Sequence, residues 1–432
     1  MENVICPISD NAHRLAKQPA LITEERTWTY FELDREIHAL CQFLSNIGIQ
    51  ERSRVAFLSP SIPSTIFLFF ALFRLRAIAC PLSTRLPQEQ ITKHLERLLA
   101  SHFLEPESLP LYPITSDSPL THISLDHLAT FLFTSGSSGT PKIACHSFAN
   151  HYYNALGVIF PLKLDVSSRW LLSLPLYHVG GIAILFRCFL RGAAVVLSKL
   201  SAVEAILQYE ISHLSCVPTQ LIRWLKEPKE TLEKIKHSLK CCLLGGAPAP
   251  DSLLQEANHH KLPLFLTYGM TEMSSIITLS EQQNNKILPF REIKIGEDQE
   301  IYVRGKTLFK GYLDDNKLNP EWFATKDLGR FNAQGNLEII GRKDRQFISG
   351  GENIQPEEIE KALRAIPGIR HAIVRPIPDK EFGMRPIACI DDETNSHTLE
   401  SIKLALQSQL PSFKHPIRLM PFPVESIKLG TE

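Results

Sequence analysis

The stretch Phe133-Thr-Ser-Gly-Ser-Ser-Gly-Thr-Pro-Lys-Ile143 decides how the rest of the chain is read. An apolar run, Thr130–Phe133, feeds a loop of small hydroxyl and glycine residues that ends in a single lysine. Phosphate binding wants backbone N–H groups that can be approached closely, hydroxyl donors and a cation, and this loop supplies all three. It is not a Walker loop, because the Gly-Lys-Ser/Thr ending is missing. A flexible Gly/Ser linker has a similar composition. The strand in front and the Pro-Lys behind argue against that reading.

On both sides of the loop the chain alternates between strand and helix. Thr29–Gly48 reads as an amphipathic helix, with Thr29 and Glu32 as a capping box, Leu33, Ile37, Leu40, Cys41 and Leu44 on one face, and Gly48 as the stop. A short buried strand is expected at Arg54–Ser59, then a helix at Ile62–Leu75. Strand-like runs recur at Trp170–Leu174, Ala193–Leu197, Leu214–Val217, Cys241–Leu244 and Leu264–Leu266, mostly with helix-length segments between them. That alternation predicts a large layered α/β body. After Asn285 the texture changes: Glu300–Arg304 and Asn336–Gly341 look like strands of a small β subdomain. The charged run Gly341-Arg-Lys-Asp-Arg345 then precedes a new unit. This unit has a helix at Pro356–Ile366, strands at Ala372–Arg375 and Ile387–Ile390, and a helix at Leu399–Leu410, so a domain boundary is expected near Asp344.

Composition narrows the function classes. The 432 residues suit two to four domains at about 150 residues each. Forty-six basic and 46 acidic side chains cancel, so no global field is available to grip a nucleic acid or an anionic membrane, and an anionic ligand must be held by local groups. The nine cysteines are scattered without a Cys-x-x-Cys pair, as free core thiols in a reducing compartment would be. No signal peptide is visible, and the strongest apolar run, Ile66–Phe73, falls far short of the roughly 20 residues of a membrane span. A soluble cytoplasmic protein without nucleic-acid or membrane partners is expected.

With these segments in view, the phosphate-type loop resembles that of the adenylate-forming superfamily, which includes acyl- and aryl-CoA ligases, peptide-synthetase adenylation domains and luciferases. Further segments of the superfamily follow in order. Pro175-Leu-Tyr-His-Val-Gly-Gly181 is similar to the acyl-pocket segment. Gly245-Gly-Ala-Pro248 and Tyr268-Gly-Met-Thr-Glu272 are similar to the adenine-contacting segments. Lys326-Asp327 resembles the ribose-binding Gly-Asp, and Gly341-Arg-Lys-Asp344 the interdomain hinge. Within the superfamily, Phe347-Ile-Ser-Gly-Gly-Glu-Asn-Ile-Gln-Pro-Glu-Glu-Ile-Glu360, Val217-Pro-Thr-Gln-Leu221 and Trp322–Asp327 are similar to the 2-succinylbenzoate–CoA ligase branch of menaquinone synthesis.

The resemblance implies an α/β adenylate-forming fold, with residues 1–343 as the adenylation (AMP-binding) domain and 344–432 as a mobile α+β domain. It implies ATP, Mg²⁺ and CoA as cofactor and cosubstrates, a small carboxylic acid as substrate, and a homo-oligomer at the level of the family. Thr134, Ser135, Gly136, Ser137, Ser138, Gly139, Thr140 and Lys142 would hold the β- and γ-phosphates. Thr271 and Glu272 would sit at the α-phosphate, with Glu272 on Mg²⁺. Tyr268 would stack on adenine beside Gly246, and Asp327 would take the ribose hydroxyls with help from Arg342. Lys428 would bridge the attacking carboxylate and the α-phosphate, although Ile427 stands where glycine usually precedes that lysine. Asp344 would be the hinge, and Gly350 and Gly351 would lie along the pantetheine arm of CoA. His178, Val179 and Gly180 would line the acyl pocket. Arg187, set among apolar residues, would meet either a second carboxylate of the substrate or a structural salt-bridge partner. The rival readings are a CoA ligase for another acid, a domain that loads a carrier protein, and a nucleotide-binding homologue without catalysis.

Overall fold

The structure, a computed structural model, describes residues 2–110, 119–134, 141–246, 249–281, 284–315, 321–393 and 396–423. Two large sheets form its body. Each is parallel at its centre and antiparallel at an edge. The first has nine strands, with Leu264–Met270, Cys241–Leu244, His213–Cys216, Arg169–Leu171 and Ala194–Val196 as consecutive parallel neighbours. The second has six strands in the order Gly311–Tyr312, Lys142–Ser147, Leu128–Thr134, Ile78–Leu82, Arg54–Leu58, His102–Leu104. Parallel strands need crossovers, and the intervening helices supply them.

The sequence explains the helical layer that carries the main core. Thr29 accepts from the Glu32 amide while the Glu32 side chain receives the Thr29 amide, so the capping box starts helix Tyr30–Asn46 as expected. Leu33, Ile37, Leu40 and Leu44 of that helix are buried. Helix Pro63–Arg74 is apolar on every side because it is enclosed on every side, with Thr65 through Phe73 all buried. Phe70 and Phe73 meet Phe186 and Phe189 of helix Val179–Arg191 at ring separations between 5.2 and 6.0 Å, within the range of favourable aromatic pairs. The 12 residues of helix Pro63–Arg74 are too few to cross a bilayer, and no helix among the described residues is long and apolar enough to do so. All nine cysteines are free thiols, eight of them buried.

The small β subdomain is a four-stranded antiparallel sheet, Arg291–Ile295, Glu300–Gly305, Phe323–Phe331, Leu337–Arg342. The last unit has its own apolar core, running from Phe347 to Leu410, around a five-stranded sheet and the helices Pro356–Arg364 and Leu399–Leu406. Strands Ile369–Asp379 and Gly383–Asp392 are much longer than their apolar cores suggest, because they continue as a polar two-stranded ribbon beyond the buried part. Helix Leu399–Leu406 stops four residues earlier than its apolar pattern does.

Candidate active site

The segments that the motifs pick out lie at strand ends and on the strand edges beside them, where α/β sheets bind ligands. Strands Leu128–Thr134 and Lys142–Ser147 are antiparallel partners, with Thr134 opposite Lys142, on either side of the glycine-serine segment. Ser135, Gly136, Ser137, Ser138, Gly139 and Thr140 lie outside the described residues, as does Lys428. Just beyond that segment, Arg97 donates to the Pro141 carbonyl at 2.7 Å and to Asp314 at 2.9 Å.

The residues expected at the nucleoside form a chain of hydrogen bonds. Asp327 and Arg342 are directly paired on adjacent strands. Arg342 donates to Asp327 Oδ1 at 3.0 Å and to Asp344 Oδ2 at 2.8 Å, and Tyr268 donates its hydroxyl to Asp327 Oδ2 at 2.7 Å. Burial, and then the neighbouring Asp327, push the Tyr268 phenol well above its ordinary pKa, so it remains a donor. The hydrogen bond to Asp344, reinforced by Asp327, raises Arg342. Four predicted residues thus form one unit. Lys326, where the superfamily has glycine, sits at φ +64° and donates its amide to Glu300 at 3.0 Å. A left-handed residue explains the usual glycine, and lysine carries the strain. Gly246, at φ +81°, satisfies the same demand after strand Cys241–Leu244.

Thr271 and Glu272 occupy a single 3-10 turn, Thr271–Met273, after strand Leu264–Met270. Three successive carbonyls of this turn are gripped from elsewhere. His146 Nε2 donates to Thr271 O at 2.7 Å, the Phe309 amide to Glu272 O at 2.8 Å, and Asn154 Nδ2 to Met273 O at 3.0 Å. Burial lowers His146 to a pKa of about 4, so the ring is neutral with its proton on Nε2. The turn leaves through Ser274 at φ +58° and Ser275 at φ +114°, a strained exit of the kind that gathers at functional sites. The Glu272 carboxylate receives the Tyr312 hydroxyl on Oε1 at 2.6 Å, and the Lys142 ammonium lies 4.5 Å from the centre of the Tyr312 ring. His146, Asn154 and Tyr312 escape the motif reading. Their partners lie 125, 119 and 40 positions away in the chain.

Glu272 suits Mg²⁺. Among the described residues no group of three or more His, Cys, Asp or Glu side chains could cage a metal unaided. One hard carboxylate completed by phosphate oxygens and water is the way Mg²⁺ is commonly held.

Of the residues expected to line the acid pocket, His178 precedes helix Val179–Arg191 as an exposed N-cap, its ring 4.5 Å from that of Tyr177. Gly180 would carry a Cβ only 3.0 Å from Leu174, and Gly181 one at 2.2 Å from the Pro175 carbonyl, so the backbone approach rests chiefly on Gly181. Arg187 projects from this helix into the interior and is 2% exposed. It donates to Ser275 Oγ at 3.3 Å and lies 5.5 Å from the Trp170 ring, while its buried Nε has no partner. No carboxylate among the described residues pairs with it. The salt-bridge alternative therefore finds no support there, and burial brings its pKa down to about 10. Gly350 and Gly351, at φ +58° and +87°, form the two-residue turn of a hairpin between Phe347–Ser349 and Glu352–Ile354.

A family model described as AMP-binding enzyme matches residues 8–313. The 2-succinylbenzoate–CoA ligase of Haemophilus influenzae is 35% identical over 408 residues, which cover 92% of this chain and 89% of that protein. Among solved structures, o-succinylbenzoate CoA synthetase (MenE) from Bacillus subtilis in complex with the acyl-adenylate intermediate OSB-AMP is similar with a TM-score of 0.87 at 26% identity, covering 98% of this chain and 95% of that one. The Bacillus subtilis enzyme in complex with ATP and magnesium ion gives 0.86 at 26% identity, over 98% and 96%. The layered body, β subdomain and α+β unit are the adenylate-forming fold, and the chain belongs to the AMP-binding enzyme family, in its branch of 2-succinylbenzoate–CoA ligases.

Proposed function

We propose that this cytoplasmic chain activates 2-succinylbenzoate with ATP, as an acyl-adenylate with release of pyrophosphate, and then transfers the acyl group to the thiol of CoA with release of AMP, a step of menaquinone synthesis. The observation that carries the choice of acid is Arg187, a buried guanidinium without a carboxylate partner among the described residues. A buried charge of this kind calls for an anion, and a diacid offers one carboxylate to be activated and another to be recognised.

In the first half-reaction the protein neutralises phosphate charge and positions a weak nucleophile. Thr134, Lys142 and residues 135–140 take the β- and γ-phosphates, and Thr271 takes the α-phosphate. Glu272 would hold Mg²⁺, which when bound draws negative charge from the phosphates. Asp327, oriented by Tyr268 and Arg342, accepts the ribose hydroxyls, and the Tyr268 ring faces adenine beside Gly246. Lys428 stabilises charge that develops between the acid and the α-phosphate. His178 and Gly180 line the acid pocket. Residues 1–343 and 344–432 act as two domains that turn about Asp344 between half-reactions, and Gly350 and Gly351 then flank the pantetheine arm.

The test is CoA thioester formation with 2-succinylbenzoate beside benzoate, acetate and a medium-chain fatty acid, with Lys428→Ala as control. Strong preference for 2-succinylbenzoate is expected, with the control losing adenylation yet still thioesterifying supplied adenylate. Preference for another acid would overturn the choice of substrate. Nucleotide binding without adenylation of any acid would overturn the activity.

A further inference from the structure

Lys142 and Glu272 carry opposite charges and reach the same side chain, yet they do not pair with each other. Tyr312 stands between them, its hydroxyl 2.6 Å from Glu272 Oε1 and its ring 4.5 Å from the Lys142 ammonium. Among the described residues neither charge has a salt-bridge partner. The backbone sets this arrangement. Gly311–Tyr312 is the edge strand of the six-stranded sheet and pairs antiparallel with Lys142–Ser147, Tyr312 opposite Ala144. Amides on both sides lock the register, Lys310 donating to Cys145 O at 2.7 Å and Leu313 to Ile143 O at 2.9 Å. Lys142 lies two residues before Ala144, so it shares the face of Tyr312 and is its diagonal neighbour. Phe309 completes the support. Its ring packs edge-on to Tyr312 at 4.8 Å, and its amide holds the Glu272 carbonyl.

A direct lysine–glutamate contact would satisfy both groups and would have to be broken before either phosphate or metal could bind. A cation over an aromatic face is held more weakly and given up more easily. We propose that Tyr312 is a positioning residue for adenylation. Its hydroxyl holds Oε1 of Glu272 and leaves Oε2 for Mg²⁺, and its ring holds the Lys142 ammonium away from Glu272 until a triphosphate draws it off. This rests on the reading of the site as one for Mg²⁺ and ATP.

The experiment is calorimetric nucleotide binding by the full chain, with ATP in EDTA and with ATP across a Mg²⁺ titration, for wild type, Tyr312→Phe, Glu272→Gln and the double variant. Tyr312→Phe keeps the ring and removes only the hydroxyl. It is expected to raise the Mg²⁺ concentration for half-maximal binding about tenfold, as loss of a hydrogen bond to a charged group implies, and to leave affinity in EDTA within about twofold. The double variant is expected to match Glu272→Gln, because the hydroxyl acts through that carboxylate. Wild-type Mg²⁺ dependence in Tyr312→Phe would overturn the proposal. So would an equal loss with and without Mg²⁺, which is what a purely structural role produces, or additive losses in the double variant. A wild-type chain that bound no ATP under any condition would overturn the functional reading and this proposal together.

Discussion

Arg342 and Arg187 are both arginines of the candidate site, and the fold treats them in opposite ways. Arg342, whose side chain is 38% exposed, lies between two carboxylates, and its protonated form is favoured further. Arg187 is 2% exposed, has a serine hydroxyl and an indole face for company, and is shifted down to about 10. Where the protein's own acids engage a cation, the cation organises those acids; Arg342 aims Asp327. Arg187 has no carboxylate partner among the described residues, and on the proposed reading its charge meets the second carboxylate of the substrate. On the proposed reading, the nucleoside side is assembled before anything binds and the acid side is completed by its substrate.

The largest effect should come from Arg187. Arg187→Gln is expected to lower kcat/KM for 2-succinylbenzoate by roughly a thousandfold, about 4 kcal/mol, as loss of one partner of a desolvated charge pair implies. The thermal midpoint should hold or rise, because an uncompensated buried charge is removed. A falling midpoint with kinetics intact would make Arg187 a structural residue and erase the contrast with Arg342. Asp327→Asn should act on the other side. Steady-state kinetics should give a rise in KM for ATP of about thirtyfold, or ~2 kcal/mol for charged hydrogen bonds, with little change in KM for the acid. Equal changes in both would show that the two sides are not separate.

Acid should reach the interior side through histidine. His146 and His213 are buried and brought down to about 4, chiefly by desolvation. A histidine depressed in the folded state binds fewer protons than the unfolded chain between its folded pKa and about 6.5, so its neutral form is fully accommodated above that window and stability falls as pH drops through it. Denaturant titration at pH 7 and 5 should show about 2 kcal/mol lost for each of the two, and His213→Phe should flatten the slope. The smallest effect belongs to the strained rim. Lys326→Gly should raise stability by about 1 kcal/mol in a denaturant titration, because relief of a left-handed lysine outweighs the freedom glycine adds to the unfolded chain.

Much of this was legible in the sequence, for reasons that differ from residue to residue. Thr29 and Glu32 announced a helix start because both halves of a capping box lie within four residues. Asp327 and Arg342 were legible through motif order, and the strand pair brings them together. Gly350 and Gly351 were read as a surface for a ligand, but a Gly-Gly pair between two strands needs only its hairpin to explain it, so their part toward CoA stays a proposal. Tyr312, His146 and Asn154 could not be found in the same way. Nothing local distinguishes a tyrosine that steadies a carboxylate 40 positions earlier, or a histidine that holds a carbonyl 125 positions later.

By itself the sequence determined the alternating elements and the change of texture into the β subdomain and the last unit, and it pointed to a phosphate-type loop closed by Lys142. Those properties follow from periodicity, turn residues and side-chain type, which act over a few positions. Only the tertiary structure decided which charges are paired and which are not: Arg342 between two acids, Arg187 without a carboxylate partner among the described residues, and Lys142 and Glu272 each in contact with Tyr312. Pairing and desolvation depend on what the topology brings within a few ångströms, and spacing along the chain carries no record of that distance.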